Sequence, residues 1–214
     1  DAPKHRGISF LLCDMNTPGL TVNPIINMAG DHSFNMVTFD NVRVPKKNLV
    51  GEQNRGWYVG ATLLDFERSG VDYSAGSRRV LEELVGYSKE NYKDGKLLSE
   101  DEVTRNRLAD LAIEIEVSRL ISYNIAWMQG AGLVPNKESS MGKVFGTELQ
   151  QHVGSTGMQM LGLHSQLEPD SKYAPLRGRI EHWHLTNVSE TIAAGTSEIQ
   201  RNIIATRGLG LPRG

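Results

Sequence analysis

Residues 105–128 read RNRLADLAIEIEVSRLISYNIAWM, and this stretch decides what kind of fold the chain takes. Leu108, Leu111, Ala112, Ile115, Leu120, Ile121, Ile125 and Met128 recur at steps close to the α-helical period. They occupy more than one side of the helix, so it needs apolar neighbours around it and belongs inside a bundle. Just upstream, Ser99-x-x-Glu102 has the form of a capping box, and Gly130-Ala131-Gly132 ends the pattern. The helical period continues in both directions. Residues 56–92 hold no proline and read as one long helix. Asn136 is placed to cap another helix, which carries Gly142 and Gly146 at a spacing that signals close helix approach, with Gly154 and Gly157 further along. A segment near 174–190 and a helix from Thr196 to about Arg207 follow, closed by Gly208, Gly210 and Pro212. The expected fold class is mainly α, a four- to five-helix up-down bundle.

Residues 7–50 read differently. The run from Gly7 to Cys13 is short and apolar, Thr17-Pro18-Gly19 is a turn, and an alternating segment runs from Leu20 to Asn27. Residues 34–39 form another strand ended by Asp40-Asn41, and Pro45 marks an edge or exit. Three or four such strands do not close a stable domain, so this sheet needs further strands or helices to cover it. The expected division is a partial β-domain over residues 1–53 and a helical bundle over 54–214, α+β overall. The linker-like opening Asp1-Ala2-Pro3-Lys4-His5, with no initiator Met and no signal peptide, suggests that an N-terminal part is missing.

Composition removes several classes. The 214 residues carry 23 Lys and Arg against 25 Asp and Glu, a net charge of −2, so no basic footprint points to nucleic acid. The single cysteine, Cys13, allows no internal disulfide, favours a reducing, cytoplasmic setting, and reads as a small core residue. No apolar run is long enough for a membrane span. Glu181, His182 and His184 crowd together without a third convergent ligand at a suitable spacing, so no metal site is expected. Trp57, Trp127, Met158 and Met160 read as core.

The second informative stretch is Ile192-Ala193-Ala194-Gly195-Thr196-Ser197-Glu198-Ile199-Gln200-Arg201-Asn202. A small flexible turn runs into a helix start, with Thr196 as N-cap and Glu198 in the first turn. The N–H groups of such a start suit a phosphate, a ribose hydroxyl or a developing oxyanion. A plain solvent-facing cap is the other reading of the same residues.

The string GTSEIQRNII resembles the acyl-CoA dehydrogenase family, and the likeness extends over nearly the whole chain. FNMVTFDNVRVPKKNLVG resembles the exit from that family's middle β-domain, and RNRLADLAIEIEVSRL resembles the second helix of its C-terminal domain. Most of the family carries a catalytic Glu immediately before the C-terminal Gly, and here that position is Ala194. In a minority, such as isovaleryl- and long-chain-type enzymes, the base sits on the first helix of this domain. The resemblance places Glu67 there, with Arg68 and Gly195 beside the substrate. Glu67 also lies on an apolar stripe with Val59, Gly60, Leu63, Leu64 and Val71, where burial would raise its pKa as a general base requires. A solvated Glu, or one paired with Arg68, is the alternative.

By that resemblance the backbone N–H of Ala194 and a ribityl hydroxyl of FAD bind the thioester carbonyl. Glu67 takes the α-proton while the β-hydrogen leaves as hydride, giving a trans-2-enoyl-CoA. Gln159, Gly162, Thr196 and Glu198 are the implied FAD contacts. Two departures weaken the cofactor site: Leu163 replaces a second Gly, and Asn91-Tyr92-Lys93-Asp94-Gly95 lacks the family's pyrophosphate-binding Arg. Both resemble a bacterial branch of mixed tetramers in which only some sites hold FAD. The implied partners are an acyl-CoA, an electron-transferring flavoprotein and further subunits in a homo- or hetero-oligomeric dimer of dimers, in fatty-acid β-oxidation or related lipid metabolism. The rival readings are a non-catalytic or half-site subunit and a helical interaction module.

Overall fold

The computed structural model describes residues 2–67 and 70–212, with the side chains of 65–67 outside that description. Arg68 falls outside the described residues altogether. The chain divides into two compact units, residues 1–65 and 66–214.

The first unit holds two small antiparallel sheets. Strands β2 (Leu20–Ile25) and β3 (Phe34–Phe39) form a hairpin in which Val22 faces Val37 and Ile25 faces Phe34. The loop between them is built on Asn27, whose Oδ1 accepts from the backbone N–H of Ala29 and of Asp31, each at 2.9 Å. Of the residues 7–13, Phe10–Leu11 form strand β1, which pairs with β4 (Leu49–Val50), and Ile8 makes an isolated parallel bridge to Arg55. The β2–β3 ribbon buries neither face, the expected condition of a sheet that needs more strands. Cys13 is half-buried rather than core, its Sγ 3.7 Å from Thr17 Oγ1.

The predicted single helix over 56–92 is two helices, α1 (Gly56–Glu67) and α2 (Val71–Glu90). Gly70 precedes α2 with φ 52° and ψ 38°, a left-handed conformation that glycine adopts without a Cβ clash. Periodicity alone does not register such a turn, because the apolar stripe resumes beyond it. Trp57, expected in the core, is 48 % exposed and stacks on His5 at a centroid separation of 4.2 Å.

The second unit is the helical bundle: α2, α3 (Glu102–Gly130), α4 (Asn136–Leu161), α5 (Arg179–Thr186) and α6 (Ser197–Ile203). Val80, Leu81 and Leu84 of α2, Leu108, Leu111 and Ile115 of α3, Leu149, Val153 and Leu161 of α4, and Ile180 of α5 form one continuous core. The mainly-α architecture with a small β part is therefore as the sequence pattern implies. Three local readings change. Asp101 rather than Ser99 caps α3, its Oδ2 accepting from the backbone N–H and the hydroxyl of Thr104, each at 2.8 Å. Ser99 is absorbed into a 3₁₀ turn over Leu98–Glu100. Pro135 stands at the start of α4, so Asn136 is its first residue and not its cap. Trp127 is 66 % exposed, on a side of α3 away from the core, together with Ile113, Val117 and Leu120.

Short-range chemistry also makes a hairpin the periodicity missed. Asp94 (φ 51°) and Gly95 (φ 79°) turn β5 (Tyr92–Lys93) into β6 (Lys96–Leu97). Glycines on α4 admit aromatic rings. A Cβ at Gly146 would lie 2.8 Å from Tyr73 Cγ, and one at Gly154 would lie 3.3 Å from Trp183 Cδ1. Among the described residues no helix is long and apolar enough to cross a membrane.

Candidate functional site

The site is centred on the chain between α5 and α6. Its last residues are held open in an unusual backbone conformation: Ala194 has φ 52° and Gly195 φ 95°. Gly195 adopts this freely, whereas an L-residue such as Ala194 is strained there by about 1–2 kcal/mol. The strain is held by the fold. Gln200, fully buried on α6, donates from Nε2 to the carbonyls of both Ala194 and Gly195, each at 3.3 Å. Gln151 of α4 donates to the Asn187 carbonyl and the Thr191 hydroxyl, each at 3.1 Å. Lys143, 1 % exposed, donates from Nζ to the Glu190 carbonyl at 2.8 Å.

Thr196 caps α6, its Oγ1 accepting from the Ile199 N–H at 3.3 Å. The Ser197 N–H donates to the Thr191 carbonyl at 2.9 Å. Glu198 is exposed, and its carboxyl is held below the usual range first by its own backbone N–H, then by the Thr196 hydroxyl, so it is ionised at neutral pH. The expectation that this helix start would suit a phosphate is corrected. Its first-turn donors are used internally, and a carboxylate stands in front of them. What it offers a ligand is a negative hydrogen-bond acceptor, the chemistry of a hydroxyl partner.

Gln159 is exposed on the last turn of α4. Gly162 follows at φ 60° and ψ −141°, a region open to glycine alone, so backbone rather than a side chain meets whatever approaches. Leu163 beside it is 85 % exposed. Lys93 is exposed on the β5–β6 hairpin, where its charge acts on Asp101. Glu67 is the last residue of α1, and its side chain lies outside the described residues. The structure thus gathers Ala194, Gly195, Thr196 and Glu198 into one turn and puts Gln159 and Gly162 at the end of α4. Among the described residues no three His, Cys, Asp or Glu side chains converge as a metal set.

Sequence reasoning passed over Lys143, Gln151 and Gln200. A signal existed for two of them: Lys143, Thr147 and Gln151 recur every fourth residue on α4, a polar stripe among glycines and serines. Gln200 stood inside the motif but carried no local reason to be singled out.

A flavin dinucleotide can be tested against these groups. An exposed amide at Gln159, a Cβ-free approach at Gly162, a hydroxyl at Thr196 and an ionised acceptor at Glu198 suit a ligand rich in hydroxyl and amide groups. None of these four supplies a cation for a pyrophosphate. The residues fit the ring and sugar portions of such a cofactor better than its phosphates.

Comparison with known proteins gives a consistent result. Residues 54–209 match the family described as acyl-CoA dehydrogenase, C-terminal domain. Acyl-CoA dehydrogenase FadE26 of Mycobacterium tuberculosis is 37 % identical over 218 residues, covering 99 % of this chain and 54 % of its own length. The short-chain specific acyl-CoA dehydrogenase of human mitochondria is 29 % identical, with 95 % of this chain and 48 % of its own length covered. Among solved structures, the ChsE4–ChsE5 complex from Mycobacterium tuberculosis superposes with a TM-score of 0.87 at 35 % identity, covering 99 % of this chain and 55 % of the other. The Tcur3481–Tcur3483 steroid ACAD gives a TM-score of 0.88 at 29 % identity, with 100 % and 54 % covered. The chain spans about half the length of these relatives.

Proposed function

The chain belongs to the acyl-CoA dehydrogenase family, and from that premise we propose that it is the C-terminal part of an FAD-dependent enzyme that α,β-dehydrogenates an acyl-CoA to a trans-2-enoyl-CoA. The observation that carries this reading is the turn at Ala194–Gly195, a strained backbone held by a buried amide at the start of α6. A thioester α-proton is too weakly acidic for a carboxylate unless charge on the carbonyl oxygen is stabilised as the proton leaves. A backbone N–H does this without a side chain, so Ala194 retains the donor although it carries no carboxylate. The proton then needs a base from elsewhere, and Glu67 at the end of α1 is the residue we assign, with Arg68 and Gly195 beside the substrate. Bound FAD would supply the hydride acceptor. Gln159, Gly162, Thr196 and Glu198 are the residues of this chain that we assign to holding it. We propose the domain boundary at residues 53/54, supported by the family match that begins at residue 54; the compact units part later, at 65/66, because most of α1 makes its contacts within residues 1–65.

The test uses the full-length gene product. Its flavin absorbance is followed on mixing with acyl-CoAs of several lengths and with a steroid-bearing thioester, the last because one structural neighbour is a steroid ACAD. Bleaching in wild type and none in Glu67→Gln is the expected result. Equal bleaching in the variant removes Glu67 from the mechanism.

A second reading has its own support. Two structural neighbours are two-chain assemblies, and Leu163 stands 85 % exposed where backbone alone would let a cofactor approach. On that reading the chain is the half-site subunit of a mixed tetramer. Purified protein that stays colourless with added FAD, and turns yellow only with a second family member, would establish it.

A further inference from the structure

Residues 187–196 form turns with no helix or strand of their own, yet their backbone is held at five carbonyls by side chains from the bundle. Lys143 and Gln200 are among the largest fully buried side chains. An ammonium or amide withdrawn from water is unfavourable unless its donors are bonded. Lys143 Nζ reaches the Glu190 carbonyl, and Gln200 Nε2 the Ala194 and Gly195 carbonyls, all within this one stretch of chain.

Gln200 has a directional consequence. Only its Nε2 donates, so two carbonyls fix the amide, and its Oε1 is left buried without a partner. An acceptor abandoned in this way is unfavourable by about 1–3 kcal/mol, which the fold tolerates to keep the amide in place. In a planar trans peptide the C=O and N–H of one unit point in opposite directions. Drawing the Ala194 carbonyl toward Gln200 therefore turns the Gly195 N–H away from it. Drawing in the Gly195 carbonyl does the same for the Thr196 N–H. Among the described residues neither of these N–H groups donates a hydrogen bond within the fold.

We propose that Gln200 is a positioning residue for the thioester carbonyl. It holds the Ala194 and Gly195 carbonyls inward and so keeps Ala194 at φ 52°, the conformation that aims the backbone N–H assigned above to that carbonyl, with the Gly195 and Thr196 N–H groups turned outward beside it. Lys143 and Gln151 hold the first half of the same segment. The identity of the ligand rests on the acyl-CoA reading; the clamp itself does not.

The test compares the full-length protein with Gln200→Met, similar in length but without a donor, and with Gln151→Met at a half-buried position where folding is safer. Amide hydrogen exchange is read over residues 187–196. We expect exchange about tenfold faster or more over 192–196 in Gln200→Met and over 187–191 in Gln151→Met, with α2, α3 and α4 unchanged. Unchanged exchange in the segment, or an increase spread evenly over the bundle, overturns the clamp. The second readout is affinity for an acyl-CoA and for the matching thioether, which lacks the carbonyl. Gln200→Met should weaken the thioester about tenfold and leave the thioether within about twofold. Equal losses for both ligands overturn the positioning role. A wild-type protein that shows no preference for the thioester refutes the acyl-CoA reading, and the exchange comparison still decides the clamp.

Discussion

The fit of Tyr73 against Gly146 gives a quantitative test of how α2 is seated on α4. A methyl group added at Gly146 would lie 2.8 Å from Tyr73 Cγ and 2.9 Å from Tyr73 Cβ. Both atoms sit close to the α2 backbone, so rotating the ring does not relieve the clash, and the two helices must separate by several tenths of an ångström. Overpacking of this kind is destabilising by about 1–3 kcal/mol. The same substitution gains about 1 kcal/mol of helix propensity, which has to be subtracted. Gly86 supplies the control. It is exposed in the interior of α2, and a methyl group there meets nothing within 4 Å. Gly86→Ala should stabilise by about 1 kcal/mol and Gly146→Ala should destabilise by about 1 kcal/mol. For a protein of this size that separates the two melting temperatures by roughly 4–8 °C. Thermal unfolding followed by far-ultraviolet circular dichroism measures the gap. A Gly146→Ala variant that melts at or above Gly86→Ala would refute the close approach of α2 and α4.

Ala194→Gly removes the left-handed strain and keeps the backbone donor, so it should melt within about 1 kcal/mol of wild type and retain turnover. Ala194→Val places a β-branched residue at φ 52° and should lower stability by about 2 kcal/mol or more, read by urea denaturation; a neutral Val variant would refute the positive φ. Asp101 is held below its ordinary pKa of 3.8, chiefly by the Thr104 backbone N–H and then the Thr104 hydroxyl. A depressed folded pKa means that the stabilising contribution is complete above the unfolded value and lost as pH falls through the folded one. Melting temperatures followed downward from pH 7 should therefore differ most between wild type and Asp101→Ala above the ordinary value of 3.8 and draw together as the pH falls below it; a constant difference across the range would remove the ionised cap.

The motif around Gly195 led to the right family and the right turn, because a short helix start with a Thr cap is written locally: Thr196 caps through its own side chain. The Asp101 cap is equally local, but the capping-box pattern pointed two residues upstream to Ser99, which the 3₁₀ turn over Leu98–Glu100 takes up instead. The break at Gly70 and the exposure of Trp57 and Trp127 were not legible, because each depends on what packs against the residue rather than on its spacing. The clamp on residues 187–195 was the least legible of all: Lys143 and Gln151 of α4 hold its first half across more than thirty residues, and nothing local marked Gln200 as the amide that holds Ala194 and Gly195.

Periodicity over 105–128, glycine punctuation and turn chemistry were enough to determine a mainly helical bundle behind a partial sheet, and the GTSEIQRNII string was enough to determine the family. These are properties of neighbours along the chain, governed by backbone period and local hydrogen bonding. Only the tertiary structure decided where the backbone at Ala194 points. A lone alanine has no preference for φ 52°; it takes that conformation because two carbonyls meet one buried amide at Gln200, and burial makes leaving that amide unbonded more unfavourable than the strain.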